Sequence, residues 1–218
     1  MNKFYRYIDI PNLNDIVNEL SQFYDLNKLN KNKAESWVYI YSEVKHKLPN
    51  LNKFLQRSKV EIPMLKFYSV PPNGILGHHT DGPLDGSAYC PAFSFNIPLL
   101  NCNNTYVHYF DCEPTNLKIL DRINVKDGLV QEGFLGSAYT PIDRTKVTEI
   151  AKAEVNRPII IKTDIVHSAS NPNPNTFRII AGVRFNLNNA HEFEDIFDMT
   201  YDKSGQLLQL DVLFRRRG

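Results

Sequence analysis

The sequence predicts an α+β protein, mainly β, in which a sandwich or jelly-roll core of short strands follows a helical N-terminal part. Apolar residues recur at helical spacing over residues 1–60, and from Met64 onward short alternating segments are separated by Pro and Gly. Helices followed by strands favour an α+β arrangement, and several short strands between turn signals favour a sandwich or jelly roll. At 218 residues, the chain fits a single domain.

The N-terminal helices are predicted from the spacing of large apolar residues. The stretches with this spacing are 14–24, 33–47 and 51–58. We expect these helices to pack against the outside of a sheet, so that residues 1–60 form a mainly helical buttress.

Short strands are predicted through the middle and later parts of the chain. Their ranges are 64–70, 75–81, 92–100, 106–110, 158–164 and 177–186. They give a jelly-roll core over residues 64–188, with an insert at 112–157 and a C-terminal extension at 189–218. The insert has more turn signals than regular structure, apart from a helix predicted over 144–154. A long irregular segment between strands is typical of a lid or binding insert, so we expect it to flank the functional site.

Charge and cysteine content limit the classes of partner and compartment. A net charge of +1 gives no overall field that would attract nucleic acid or an anionic membrane. Three cysteines are an odd number without zinc-type spacing, which favours a reducing compartment. The N-terminus lacks the apolar stretch of a signal peptide, and no run approaches a membrane span. We expect a cytoplasmic protein without a nucleic-acid or membrane partner, and its oligomeric state is left open.

One predicted strand ends in the motif Gly-His-His-Thr-Asp at residues 77–81. Residues two apart on a strand point to the same side, so His79 and Asp81 lie together while His78 points away. A second histidine, His167, follows a later apolar strand. Two histidines and one carboxylate on one face of an octahedron form the facial triad of non-heme Fe(II) sites. A core histidine hydrogen-bonded to a carboxylate is the alternative for His79 and Asp81 alone.

The last predicted strand carries two arginines on one side. Arg178, Ile180, Gly182 and Arg184 alternate with purely apolar residues. Two arginines and a glycine make a poor core but a suitable anion pocket, because a buried guanidinium must be paired. Arg178 suits a carboxylate through its fork of donors, whereas Arg184 either assists, contacts substrate or forms a structural salt bridge. Other polar candidates to line the same cavity are Tyr68, Ser94, Asn96, Tyr106 and His108.

The ordered set of His79, Asp81, His167 and Arg178 resembles the Fe(II)/2-oxoglutarate-dependent oxygenases. The run Phe-Ser-Phe-Asn-Ile-Pro-Leu at 93–99 and the last strand resemble the aspartyl/asparaginyl and prolyl hydroxylase branches most. The resemblance implies a double-stranded β-helix, a jelly roll of the cupin type, in which the two histidines and the aspartate hold Fe(II). It also implies that Arg178 anchors the distal carboxylate of 2-oxoglutarate. Further cosubstrate-binding candidates are then Arg184, Tyr68 and Asn96.

The reaction implied by the resemblance is hydroxylation of an amino-acid side chain, protein-bound or free. Fe(II), O2 and the small-molecule cosubstrate 2-oxoglutarate take part, and 2-oxoglutarate becomes succinate and CO2. The alternatives are a cupin-like metal- or sugar-binding module, a zinc hydrolase, and an oxygenase acting on a nucleobase or small metabolite. A carboxylate anchor such as Arg178 has no use in the binding module. A hydrolase would require an additional acid placed as a base.

Overall fold

The structure, a computed structural model, describes residues 4–55, 62, 64–80, 93–111, 124–126, 129–132, 138–139, 147–163 and 165–184. The predicted metal ligand Asp81, most of the predicted insert and the predicted C-terminal extension lie outside these residues.

The described residues form two antiparallel sheets. The strands are β1 (Tyr5–Tyr7), β2 (Glu35–Ile40), β3 (Met64–Val70), β4 (Gly74–Thr80), β5 (Phe93–Leu100), β6 (Tyr106–Asp111), β7 (Asn124–Lys126), β8 (Leu129–Glu132), β9 (Ala138–Tyr139), β10 (Thr148–Glu154), β11 (Ile159–Lys162), β12 (His167–Asn171) and β13 (Arg178–Arg184). The larger sheet has the order β1-β11-β5-β13-β3-β2-β8-β7, and the smaller sheet has the order β10-β6-β12-β4-β9. The fold is mainly β with few helices, as the sequence predicts.

Within the described ranges, the helices lie in the N-terminal part of the chain. They are α1 (Leu13–Ser21), α2 (Tyr41–Val44) and α3 (Pro49–Leu55). Glu19 of α1 accepts hydrogen bonds from the backbone N–H groups of Asn50 and Leu51, at 2.8 and 3.1 Å, and so caps the start of α3. Among the described residues, none of the helices combines the length and apolar character needed to cross a bilayer.

The helix predicted over residues 33–47 is wrong in its first half. Residues Glu35–Ile40 form β2, which pairs with β3 and β8. The ring of Trp37 stacks on that of its cross-strand partner Phe67, with centroids 5.5 Å apart and an angle of 8° between the planes. Aromatic and β-branched residues favour a strand when such a partner is present, and a spacing pattern contains no information about the partner.

The helix predicted over residues 144–154 is also contradicted, because Thr148–Glu154 form β10 at one edge of the smaller sheet. This strand pairs with β6 along its length. Its Ala, Glu and Lys residues have good helix propensity, but pairing with β6 outweighs that weak local preference.

Two apolar cores lie on opposite sides of the larger sheet. One packs α1 and α3 against the sheet and includes Leu20, Phe67 and Val183. The other lies between the two sheets and includes Tyr109 and Ile180. Because Val183 faces the helices and Ile180 faces the smaller sheet, the side of β13 that carries its arginines is turned into the space between the sheets.

Candidate functional site

A pocket between the two sheets brings together six of the side chains predicted from the sequence. The space within it that no atom fills is about 330 Å³, part of it open to solvent. The larger sheet contributes Tyr68, Asn96, Ile161, Arg178, Ile180 and Arg184. The smaller sheet contributes Leu76, His79, Val107, His167 and Ala169. The two histidines therefore lie on one wall and the two arginines on the other.

The two histidines are cross-strand partners on β4 and β12, with ring centroids 4.4 Å apart. Nδ1 of His79 lies 2.7 Å from the carbonyl oxygen of Gly77, and Nδ1 of His167 lies 2.8 Å from that of Ile165. A carbonyl oxygen only accepts, so each Nδ1 carries the hydrogen and each neutral ring has its lone pair on Nε2. Metal-binding histidines are commonly oriented by a hydrogen bond of this kind.

A bulge in β4 determines which of its residues face the pocket. The register between β12 and β4 shifts so that His167 pairs with His79, whereas Ala169 pairs with Leu76. The extra residue in β4 lets Leu76 and His79 both line the pocket and leaves Ile75 56% exposed. Simple alternation fails at this point, because a bulge changes the side to which a residue points.

The third predicted ligand, Asp81, is the residue that follows β4, and it lies outside the described residues. In the part of the chain that the structure describes, no three His, Cys, Asp or Glu side chains lie close enough together to hold a metal ion. His79 and His167 are therefore the two predicted ligands that the pocket contains, and the role of Asp81 stays a prediction.

The guanidinium of Arg178 is buried in the wall opposite the histidines. Arg178 is 1% exposed, and its Nε, Nη1 and Nη2 atoms make no hydrogen bond to any described residue. Burial lowers the pKa of Arg178, because the charged form has lost its hydration. Holding an unpaired cation inside a protein costs several kcal/mol, so a site of this kind fits an anionic ligand.

Arg184 lies at the other end of β13 and is bound to Tyr68. Its guanidinium donates a hydrogen bond to the Tyr68 hydroxyl, and burial lowers the pKa of Arg184 to about 9. Arg184 is therefore still charged at neutral pH. The buried Lys66 lies on the same tyrosine, with its Nζ 4.6 Å from the ring centre. Cations thus surround Tyr68 on the inner side of the larger sheet.

Asn96 is oriented by Ser94, whose hydroxyl donates a 2.7 Å hydrogen bond to Asn96 Oδ1. This bond leaves the amide Nδ2 of Asn96 as a donor. The cross-strand partner of Asn96 is Gly182, where an added Cβ would lie only 3.1 Å from both Asn96 Oδ1 and Ser94 Oγ. The absence of a side chain at Gly182 therefore gives the Ser94–Asn96 pair its room.

The other polar candidates do not line the pocket. Tyr106 and His108 lie on β6 on either side of Val107, and it is Val107 that faces the pocket. The expectation that Tyr106 and His108 line the cavity is wrong. Neighbouring residues on a strand point to opposite sides, so both side chains point away from the pocket that Val107 faces. His78 packs on the ring of Phe110, with centroids 4.3 Å apart, and does not line the pocket.

Comparison with known proteins gives structural likeness at low identity. No family model matches the chain, and no curated protein matches it. The non-heme alpha-ketoglutarate-dependent carbocyclase SnoK of nogalamycin biosynthesis is 11% identical, with a TM-score of 0.47 over 94% of this chain and 88% of that one. A Pseudomonas putida prolyl-4-hydroxylase is 11% identical, with a TM-score of 0.37 over 84% of this chain and 90% of that one. The viral collagen prolyl hydroxylase of Paramecium bursaria Chlorella virus-1, in its 2OG complex, is 16% identical, with a TM-score of 0.36 over 85% of this chain and 97% of that one. All these values are low, so the likeness assigns neither a family nor an activity to the chain.

Several groups in the pocket lining or beside it were not predicted from the sequence: Leu76 lies in the lining, and Lys66 and the carbonyl groups of Gly77 and Ile165 lie beside it. Lys66 interrupts the apolar run of β3 two residues before Tyr68, and a lysine in such a strand is the signal that was available. The carbonyl groups of Gly77 and Ile165 left no such signal, because any residue supplies a carbonyl. Leu76 enters the pocket only through the bulge in β4, for which the sequence offers no clear mark.

Proposed function

We propose that the protein is an Fe(II)- and 2-oxoglutarate-dependent dioxygenase built on a double-stranded β-helix of the aspartyl/asparaginyl or prolyl hydroxylase type. It hydroxylates an amino-acid side chain, protein-bound or free. One observation carries the proposal: Arg178, buried and without a hydrogen-bond partner among the described residues, lines the same pocket as the paired imidazoles of His79 and His167.

The pocket matches the chemistry of 2-oxoglutarate at three places. His79 and His167, together with Asp81, would hold the metal to which the keto-acid end binds. Arg178 would bind the distal carboxylate through two parallel hydrogen bonds. Apolar side chains, those of Leu76, Val107, Ile161, Ala169 and Ile180, lie in the same lining and suit the two methylene groups of the cosubstrate.

Two backbone carbonyl groups and Arg178 have defined tasks in this scheme. The carbonyl oxygens of Gly77 and Ile165 hold the imidazoles with Nε2 as the unprotonated nitrogen. Arg178 fixes the length and direction of the cosubstrate, and the bound carboxylate would raise the pKa of Arg178 towards its ordinary value. Fe(II) with O2 and 2-oxoglutarate supplies the oxidant for the C–H bond, with succinate and CO2 as the other products.

The same residues weigh against the alternative functions. A cupin-like metal- or sugar-binding module gains nothing from a buried arginine, whose desolvation is a cost to the fold. A zinc hydrolase uses an acid as a base near the metal, and the described lining of the pocket contains no carboxylate. An oxygenase with a nucleobase or small-metabolite substrate uses the same pocket chemistry, so only a substrate screen separates it from an amino-acid hydroxylase.

The first test is reconstitution under argon with Fe(II) and 2-oxoglutarate, followed by metal-to-ligand charge-transfer absorbance. We expect the band in the wild type and in the control variant His78→Ala. It should be lost in His79→Ala, Asp81→Ala and His167→Ala, with circular dichroism unchanged. A wild-type protein that binds Fe(II) without a change of absorbance on addition of 2-oxoglutarate would contradict the proposal.

The second test asks which substrate increases succinate formation under air. Peptides, free amino acids, nucleobases and small metabolites are compared at equal concentration. The proposal predicts substrate-dependent succinate with a peptide or an amino acid, and a mass increase of one oxygen atom in that substrate. Stimulation by nucleobases alone would keep the oxygenase and overturn the choice of substrate class.

A further inference from the structure

Three side chains on the smaller sheet form a hydrogen-bonded chain that the proposed oxygenase site does not use. Nε2 of His108 lies 2.8 Å from the hydroxyl oxygen of Ser170, and Nδ1 of His108 lies 2.8 Å from Oε2 of Glu149. A carboxylate only accepts, so Nδ1–H donates to Glu149 and Nε2 accepts the hydrogen of the Ser170 hydroxyl. A serine bonded to a histidine that an acid orients is the arrangement by which proteins activate a hydroxyl nucleophile.

The acid reaches the histidine because of a bulge in β10. The pairing of β10 with β6 shifts between Glu149 and Ala151, so that Ile150 is an extra residue. Lys152 is the cross-strand partner of His108, and the shift makes Glu149 the partner of Phe110, two residues along β6. Without the extra residue, Glu149 would point to the other side of the sheet.

This group faces away from the proposed metal pocket and is open to solvent. Val107 and Ala169, which precede His108 and Ser170 on their strands, line the pocket, so His108 and Ser170 point to the opposite side of the smaller sheet. The side chains of His108 and Glu149 are 20% and 44% exposed. A reagent can therefore approach the group without entering the pocket.

The residues beside Ser170 indicate the class of substrate. The cross-strand partners of Ser170 are Ile75 on β4 and Tyr106 on β6. Ile75 is among the most exposed large apolar side chains, and Tyr106 is partly exposed. An apolar acyl chain has a surface to lie on next to the hydroxyl, formed by these two side chains.

We propose that Ser170 is an activated nucleophile and that this face of the smaller sheet is a second, esterase-type site for small apolar acyl esters. Ser170 Oγ forms a bond to the ester carbonyl carbon while His108 Nε2 takes the hydroxyl proton. The ester C–O bond then breaks, and His108 returns the proton to the leaving alcohol. Water, deprotonated by His108, cleaves the acyl-serine and regenerates the hydroxyl.

The expected rate enhancement is modest. The backbone groups around Ser170 belong to strand ladders with β4 and β6, so they do not form a dedicated oxyanion hole. The gain is then limited to general-base assistance, about 10²- to 10⁴-fold over an ordinary serine hydroxyl.

The test is covalent labelling of the full-length protein with an alkyl fluorophosphonate, in which an Oγ–P bond forms and fluoride leaves. Peptide mass spectrometry should locate a single serine label on Ser170. Ser170→Ala should abolish it, and His108→Gln should slow it by about 100-fold or more. Ser168→Ala, which changes a serine on the same side of the same strand, should be labelled at the wild-type rate.

A variant of Glu149 tests whether slower labelling of Ser170 could result from loss of the fold. Glu149 is half-exposed, so Glu149→Gln should fold normally and still slow the labelling of Ser170 at least about tenfold, because the tautomer of His108 is no longer fixed. Hydrolysis of 4-nitrophenyl butyrate should follow the same order of variants. Absence of label on Ser170, or equal labelling rates in His108→Gln, Glu149→Gln and the wild type, would overturn the proposal.

Discussion

Gly182 lies on the polar side of β13, where the packing leaves no room for an added methyl group. A Cβ at this position would lie 3.1 Å from both Ser94 Oγ and Asn96 Oδ1 and 3.3 Å from the ring of Tyr68. These contacts are tighter than ordinary van der Waals distances, and the side chains that would have to move are buried. Overpacking of a buried site typically costs about 1–3 kcal/mol.

We therefore predict that Gly182→Ala lowers the free energy of unfolding by about 1–3 kcal/mol in urea denaturation. Gly77→Ala is the matched control, because it also changes a strand glycine and its Cβ would meet nothing within 4 Å. The control should differ from wild type by less than about 0.5 kcal/mol. Equal effects of the two changes would mean that Asn96 is free to move and that Gly182 is not required.

The sequence predicts those site residues whose side chains have a distinctive binding chemistry. His79, His167 and Arg178 were identified because metal-binding and carboxylate-binding side chains are few, and they share one pocket. Strict alternation would place Leu76 and His79 on opposite sides of β4, whereas both line the pocket, because the bulge depends on pairing with β12. The orientation of Asn96 depends on Ser94 and Gly182 together, which no single position reveals.

The loop between β12 and β13 determines the position of Arg178, the first residue of β13. Asn171 closes this loop: its Nδ2 lies 3.0 Å from the carbonyl oxygen of Val70, 3.1 Å from that of Pro71 and 2.8 Å from that of Thr176. Val70 is also the cross-strand partner of Arg178. One buried amide therefore joins the end of β3 to the loop that leads to the arginine.

Asn171→Ala should lower the free energy of unfolding by about 1–3 kcal/mol, because buried carbonyl groups lose their donor. It should also weaken 2-oxoglutarate binding, since the start of β13 is no longer fixed. Asn173→Ala is the control: its Oδ1 accepts an exposed hydrogen bond from Asn175 N, so the loss of its side chain should have a small effect. Thermal denaturation measures the change in stability, and a 2-oxoglutarate titration measures the change in affinity. Equal results for Asn171→Ala and Asn173→Ala would mean that Asn171 does not fix the start of β13.

Element types were predicted well where the pattern is strong and wrongly where a partner decides. β3, β5, β6, β11 and β13 lie where alternation and apolar runs place them. β2 and β10 were predicted as helices, since a helical spacing of apolar residues and a high helix propensity carry no information about pairing with β3 or β6. Edge position and aromatic stacking became visible only with the sheets.

The stability of the whole molecule should depend on the buried charge of Arg178. This charge should lower the free energy of unfolding of the ligand-free protein, although the proposed binding of 2-oxoglutarate requires it. Replacing a buried ion pair with apolar side chains of similar size is often neutral or stabilises a protein by about 1–4 kcal/mol, and a charge buried without a partner has the desolvation cost without the pairing energy. We predict that Arg178→Met raises the free energy of unfolding of the ligand-free protein by that amount. A decrease would mean that the guanidinium has a structural partner that stabilises the fold.

The same variant should lose stabilisation by the cosubstrate. A ligand that binds only the folded state at 100 times its Kd adds about 2.7 kcal/mol, so the wild type with Fe(II) should gain about that much from 2-oxoglutarate. Arg178→Met should gain far less. Unfolding in guanidinium chloride under argon, with and without 2-oxoglutarate, measures the difference, and an equal gain in both proteins would contradict the anchor role.

We propose that Arg178, rather than Arg184, holds the distal carboxylate of 2-oxoglutarate opposite His79 and His167. A titration of Fe(II)-loaded protein with 2-oxoglutarate under argon, followed by charge-transfer absorbance, separates the roles of the two arginines. Loss of a bidentate, charge-assisted contact costs about 2–5 kcal/mol, so Arg178→Ala should weaken the affinity roughly 30-fold or more while Fe(II) stays bound. The affinity of Arg178→Lys should fall between those of the wild type and Arg178→Ala. Arg184→Ala should weaken the affinity for 2-oxoglutarate less than Arg178→Ala does. Wild-type affinity in Arg178→Ala, with a loss of affinity in Arg184→Ala, would contradict the assignment of Arg178 as the carboxylate anchor.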